Sequence, residues 1–197
     1  VGVTREIDRT PTLFAAAVEQ LRSVVVRPEI TFDRIPAPQK IAPYAYALGA
    51  EVAVGHDELA SGRLILLHDP AGNESWGGTF RFVTYARAEI EAEMAADPML
   101  PTVGWSWLIE ELDDYDTEYA APSGSVTVVR SEPFGQMEDN GSDAQIEVRA
   151  SWTPLLDQPG ASAAHHANAW ANLLGAMSGL PPLTPGVIPL QRKRGIR

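Results

Sequence analysis

The chain has 197 residues, 45% of them apolar, and no cysteine, which suits one closed hydrophobic core and excludes disulfides, thiolate metal sites and a cysteine nucleophile. Its net charge of −11 is unevenly placed: Ala88 to Val129 holds ten acidic residues and no Lys or Arg, so this stretch repels phosphate backbones and favours a cationic partner. Nowhere do about 18 apolar residues run together, and the charged segment Val1 to Arg9 has no apolar centre, so neither a membrane span nor a secretory signal is expected. The absence of cysteine fits a reducing compartment, and the expected location is cytoplasmic.

The first element reads as a helix, with Thr10 as N-cap, Pro11 at the first helical position, and Phe14, Val18, Leu21 and Val25 recurring at helical spacing. It ends before Pro28, and Pro36, Pro38 and Pro43 hold the next segment as an extended strap without a regular partner. From Tyr44 the period changes to two, with Tyr44, Tyr46, Leu48, Val52 and Val54 on one face and Ala45, Ala47, Gly49 and Glu51 on the other. Leu64 to Leu67 is a continuous apolar run, as in a central strand covered on both faces. Thr79 to Arg87 alternates again, with Phe80 and Phe82 facing one way.

Glu89 to Ala96 reads as a short helix stopped by Asp97-Pro98, and Trp105, Leu108, Ile109, Leu112 and Tyr115 form the stripe of a second. Ser125 to Arg130 and the alternation of Ile146, Val148, Ala150 and Trp152 predict two further strands, joined by a polar turn at Glu138 to Asp143. A last helix over about 161–178 ends at Gly179, and Pro181, Pro182, Pro185 and Pro189 keep the C-terminal segment extended. The expectation is an α+β domain of order α-βββ-αα-ββ-α, in which a mainly antiparallel sheet of about five strands is backed by helices. A single domain over 1–197 is expected, with a folded core at 10–180 and an extended, basic tail at 181–197. This element order is similar to that of type III secretion chaperones, a likeness that implies a dimerising, partner-binding module.

Several strings carry a more specific resemblance: Ala42-Pro43-Tyr44-Ala45-Tyr46-Ala47-Leu48, Gly62 to Gly72, Gly104-Trp105-Ser106-Trp107-Leu108, Arg149-Ala150-Ser151-Trp152-Thr153-Pro154 and Gly179-Leu180-Pro181-Pro182. Together they resemble an actinobacterial family known as a domain of unknown function, number three thousand. The resemblance spans about Thr10 to Val187 and implies no activity, cofactor or site residue.

Candidate sites come from residue chemistry alone. The loop from His68 to Gly78 gathers an imidazole, two carboxylates and an indole, so His68 with Asp69, joined by Glu74 and Arg81, is a candidate polar or catalytic site. The alternative is that Asp69 caps a turn and His68 is a hydrogen-bonded strand end, since neighbours on a strand point apart. His165 and His166 lie about 100° apart on a helix and do not suit one metal, and no string supplies a metal or cofactor site. Ser106, Ser125 and Ser151 lack the surroundings of a nucleophile elbow, and no glycine pattern suits a nucleotide.

Trp107 falls off the apolar stripe beside Glu111 and Asp114, the composition of a protein-binding surface, unless the extended segment Leu180 to Leu190 covers it; Trp76 on the glycine-rich loop, a second contact candidate, poses the same choice. The leading expectation is a non-catalytic adaptor or homodimer using these residues. Two alternatives remain: an enzyme centred on His68 and Asp69, and a nucleic-acid accessory acting through Arg192, Lys193, Arg194 and Arg197.

Overall fold

The computed structural model describes residues 10–115 and 117–182. In chain order they form α1 (Thr12–Arg22), β1 (Ile30–Ile35), β2 (Tyr44–Val54), β3 (Asp57–Asn73), β4 (Gly78–Ile90), α2 (Leu100–Asp114), β5 (Tyr119–Ser131), β6 (Asp143–Pro154) and α3 (Ala163–Met177). The six strands make one antiparallel sheet of order β1-β2-β3-β4-β6-β5, so the α+β class and antiparallel pairing agree with the sequence reading.

Three expectations need correction. The sheet has six strands, because Ile30 to Ile35, short and lacking clean alternation, pairs with β2 ahead of the proline strap. The helix expected at Glu89 to Ala96 is absent: β4 runs on to Ile90, held by Glu89↔Gln145 and Ile90↔Ala144 pairing, and only a single 3-10 turn, Met94–Ala96, comes after it. The first helix stops at Arg22, leaving Val25 outside it and exposed. The tail residues 183–197, including the four basic ones, and the segment 1–9 lie outside the described residues.

All three helices lie on one face of the sheet. Alternation directs Tyr46, Leu48, Ala50 and Val52 of β2, Leu64 and Leu66 of β3, Phe80, Phe82 and Ala86 of β4 and Ile146, Val148 and Trp152 of β6 toward them, and these form one core cluster. Helix α3 is the keystone, packed against both other helices and four strands. Its buried positions run almost round its circumference, and Ala163, Ala167, Ala169 and Ala171 let neighbours approach closely. Trp170 fits over Gly62, whose cross-strand neighbours are Ala50 and Ala86; a Cβ on Gly62 would sit 2.9 Å from the indole and 3.0 Å from the Tyr85 carbonyl. This hollow of small residues fixes α3 against the middle of the sheet.

The opposite face carries no helix among the described residues. At about 4.8 Å per strand spacing, six strands give it a breadth of about 24 Å. Ile65 and Val83 project onto it from β3 and β4, so the apolar run Leu64 to Leu67 marks a central strand that is apolar on both faces but helix-covered on one.

Candidate functional site

Two rows of side chains cross the uncovered face. Antiparallel register aligns Ala47, Ile65, Val83, Ser151 and Ser123 in one, and Gly49, Arg63, Tyr85, Arg149 and Ser125 in the next. Between them the sheet forms a groove of about 570 Å3, with Ile65 and Val83 as an apolar floor and Ser123, Ser125 and Ser151 along one side. That volume falls within the range of small-molecule sites. A second depression of about 330 Å3 shares Arg63 and Tyr85 with the first and carries the depression on past Gly49 to Asp33 and Glu51.

The groove is electrostatically asymmetric. The Arg149 guanidinium lies 5.2 Å from the Tyr85 ring centroid and pairs with Glu147 at 2.6 Å, while the Tyr85 hydroxyl donates to the other Glu147 oxygen at 2.9 Å. Burial and this carboxylate together raise the Tyr85 pKa. Arg63, exposed across Tyr85, forms no ion pair among the described residues.

Beneath the serine side lies Arg81, only 7% exposed. Its Nη1 donates to the Ala121 carbonyl at 3.0 Å and to Thr153 Oγ1 at 2.9 Å, and its Nη2 donates to Ser123 Oγ at 3.1 Å and Ser151 Oγ at 2.7 Å. Every acceptor is neutral, and burial lowers the guanidinium's pKa. The sequence builds this cage locally: a register shift between Ala120 and Ser123 puts Ala121 at a φ of 48° and turns its carbonyl onto Arg81. Thr153 in turn donates to the Trp76 carbonyl, tying the glycine-rich turn to the cage.

The residues singled out in the sequence are divided by this geometry. His68 points to the helix face, 3% exposed, stacked on Phe80 with centroids 4.1 Å apart and on Phe14 of α1 at 5.8 Å. Its Nδ1 bonds the Thr79 carbonyl at 2.9 Å, and burial depresses its pKa. Asp69 caps its own turn by accepting from the Ala71 N–H, and Glu74 is exposed on the next turn. Arg81 opens on the opposite face of the sheet from His68, so these four do not converge; Arg81 and the Trp76 backbone are the two that meet, through Thr153. Trp107 is half-buried against the core cluster. Glu111 is half-buried with its pKa raised, first by burial and then by Asp114 and Glu110, while Asn172 opposes the shift; Asp114 is exposed.

No sequence motif links the groove residues Arg63, Ile65, Val83, Tyr85, Ser123 and Arg149. A signal existed: Arg63, Arg81, Arg87 and Arg149 all occupy the outward phase of their strands, gathering arginines of an acidic chain onto one sheet face.

Fold and groove define the class as an antiparallel sheet with helices on one face and a mixed apolar and cationic groove on the other. The chain belongs to the family described as a protein of unknown function, DUF3000, whose model matches residues 10–188. No curated protein and no solved structure matches it.

Proposed function

We propose that this protein is a non-catalytic, cytoplasmic binding module whose working surface is the uncovered face of its sheet. The observation that carries the reading is the contrast between faces. One is closed by three helices; the other presents Ile65, Val83 and Tyr85, all half-buried, in a concave groove of about 570 Å3. Apolar side chains at the bottom of a polar-rimmed hollow mark a ligand surface. The groups around it suit binding better than chemistry, because Ser123 and Ser151 face a guanidinium that withdraws charge from their oxygens, and among the described residues no imidazole or carboxylate bonds to them or lines the groove. An enzyme built on His68 and Asp69 draws no support from this geometry, since His68 is packed in the core and Asp69 turns away from it.

A second contact surface supports a protein partner or a second copy of this chain. Strand β5 is a sheet edge of 13 residues, and Val129, Phe134 and Met137, on it and just beyond it, are 45%, 76% and 59% exposed. The acidic face of α2, with Trp107, Glu111 and Asp114, is a further candidate contact.

The test of the groove is a substitution that fills it. Ile65→Trp puts an indole on the floor and leaves the helix face alone. Fragment binding monitored by ligand-observed NMR is expected to fall at least several-fold in this variant, with near-UV circular dichroism otherwise retained. Equal binding by the folded variant would remove the groove as the working surface.

A further inference from the structure

Resting on that reading, we propose that the groove recognises a small organic monoanion, a carboxylate carried on an apolar body, with the anionic group bound at Ser123 and Ser151 above Arg81.

The first support is a charge left uncompensated. Arg81 is 7% exposed and forms no ion pair among the described residues, whereas the similarly buried Arg27 pairs with Glu29 at 3.0 Å. A desolvated guanidinium held only by neutral acceptors retains its full attraction for an anion arriving nearby, in surroundings where water screens little. One such cation matches one negative charge.

Proton accounting supplies the second. The oxygens of Ser123 and Ser151 both accept from Arg81 Nη2 and lie 3.3 Å apart. Each hydroxyl has one proton, so if one serine donates to the other, the second proton remains to be donated elsewhere. Ser123 is exposed and Ser151 half-buried, and both line the groove. A hydroxyl whose oxygen already accepts from a guanidinium is a strengthened donor, so the buried charge is relayed to the surface as a hydroxyl aimed at an incoming oxygen. Thr153 provides no such donor, because its proton is committed to the Trp76 carbonyl.

The third is the shape beside the anion point. Val83 is the direct cross-strand neighbour of Ser151, and Ile65 of Val83, so an apolar body extending from the head group passes over both. Arg63, which forms no ion pair among the described residues, flanks that path on the Tyr85 row and adds attraction for the head group, whereas the charge of Arg149 on the same row is offset by Glu147. The left-handed backbone of Ala121 aims its carbonyl at the same guanidinium, a strained conformation of the kind that fixes binding groups in place. The basic tail at 192–197 has the wrong charge to be the occupant.

The experiment is a titration of 15N-labelled full-length protein with 3-phenylpropionate, its uncharged amide, and inorganic phosphate. 3-Phenylpropionate is expected to shift the amides of Ser123, Gly124 and Ser151 and to bind at least tenfold more tightly than the amide, with phosphate alone weaker than either. The double variant Ser123→Ala/Ser151→Ala, which leaves Arg81 its two backbone acceptors and Thr153, is expected to abolish that tenfold preference while keeping the amide's affinity. Equal binding of acid and amide in the wild type would overturn the anion site and leave the groove reading intact. Phosphate binding as well as the acid would show that charge alone suffices and would refute the apolar body. Shifts confined to residues outside the groove, or none, would overturn this proposal, while the Ile65→Trp comparison decides the groove reading separately.

Discussion

His166 gives this fold a calculable weakness in acid. It is 2% exposed on α3, and its Nδ1 accepts a hydrogen bond from Trp152 Nε1 at 3.1 Å, so the ring is held neutral with Nδ1 bare. Protonation at Nδ1 would set two N–H groups against each other in the core, and burial pushes the His166 pKa down from 6.5 to about 3. Between those values the unfolded chain takes up a proton that the folded chain refuses, so stability falls as the pH falls. The slope approaches about 1.4 kcal/mol per pH unit. From pH 7 to pH 5 the loss is about 2 kcal/mol, a large share of the roughly 5–15 kcal/mol typical of a domain. His68, also depressed by burial, acts in the same direction, while the raised Glu111 carboxyl acts oppositely, binding its proton more readily when folded. Urea unfolding at about pH 7, 6 and 5 measures the slope, and His166→Gln keeps an acceptor for Trp152 while removing the titration. The variant is expected to lose most of the wild-type slope. A variant and wild type with the same pH dependence, or a His166 imidazole titrating above pH 6 by NMR, would refute the reasoning.

Other substitutions test the packing and the site's surroundings. Gly62→Ala drives a methyl into Trp170 and the Tyr85 carbonyl and is expected to cost about 1–3 kcal/mol in denaturant unfolding, the range for overpacking a tight core. Ala121→Gly relieves a left-handed backbone and is expected to add about 1 kcal/mol of stability, measured in the same way. Glu111→Gln removes a carboxylate that burial disfavours and is expected to raise the melting temperature at pH 7; a fall would show that the charge has a partner. Phe134→Glu with Met137→Glu puts charge on the exposed apolar group beside β5 and is expected to abolish any self-association seen in sedimentation, leaving the monomer's circular dichroism unchanged.

Much of the architecture was legible because its signals are periodic. The alternation at Tyr44 to Val52 and at Ile146 to Trp152 placed β2 and β6, and the 3.6-residue stripes placed α2 and α3. Failures came where tertiary pairing overrides local pattern. Glu89 and Ile90 read as the start of a helix yet are held in β4 by Gln145 and Ala144, and Ile30 to Ile35 becomes a strand only because β2 offers it an edge. The site was less visible, since Ser123, Ser151, Val83 and Arg63 come from four strands and share no spacing in sequence; only register brings them into adjacent rows.

Arginine placement connects fold and site. An acidic chain has carboxylates to spare, and burying Arg81 beside one would offset its desolvation. Arg27 does so with Glu29, and even the exposed Arg149 at the groove rim pairs with Glu147. Arg81 is instead caged by two backbone carbonyls, a threonine and two serines, at the added expense of a left-handed Ala121. Neutral acceptors hold the guanidinium in place without cancelling its field, and a carboxylate at Ser123 or Ser151 would cancel it. Ser151→Asp therefore discriminates between a structural and a recognition role for the cage. If Arg81 serves packing alone, the new ion pair is expected to raise stability and leave the wild-type ratio of 3-phenylpropionate to amide affinity unchanged. If it serves recognition, the same substitution is expected to raise stability and to abolish the preference for 3-phenylpropionate over its amide, because the site then carries its own anion.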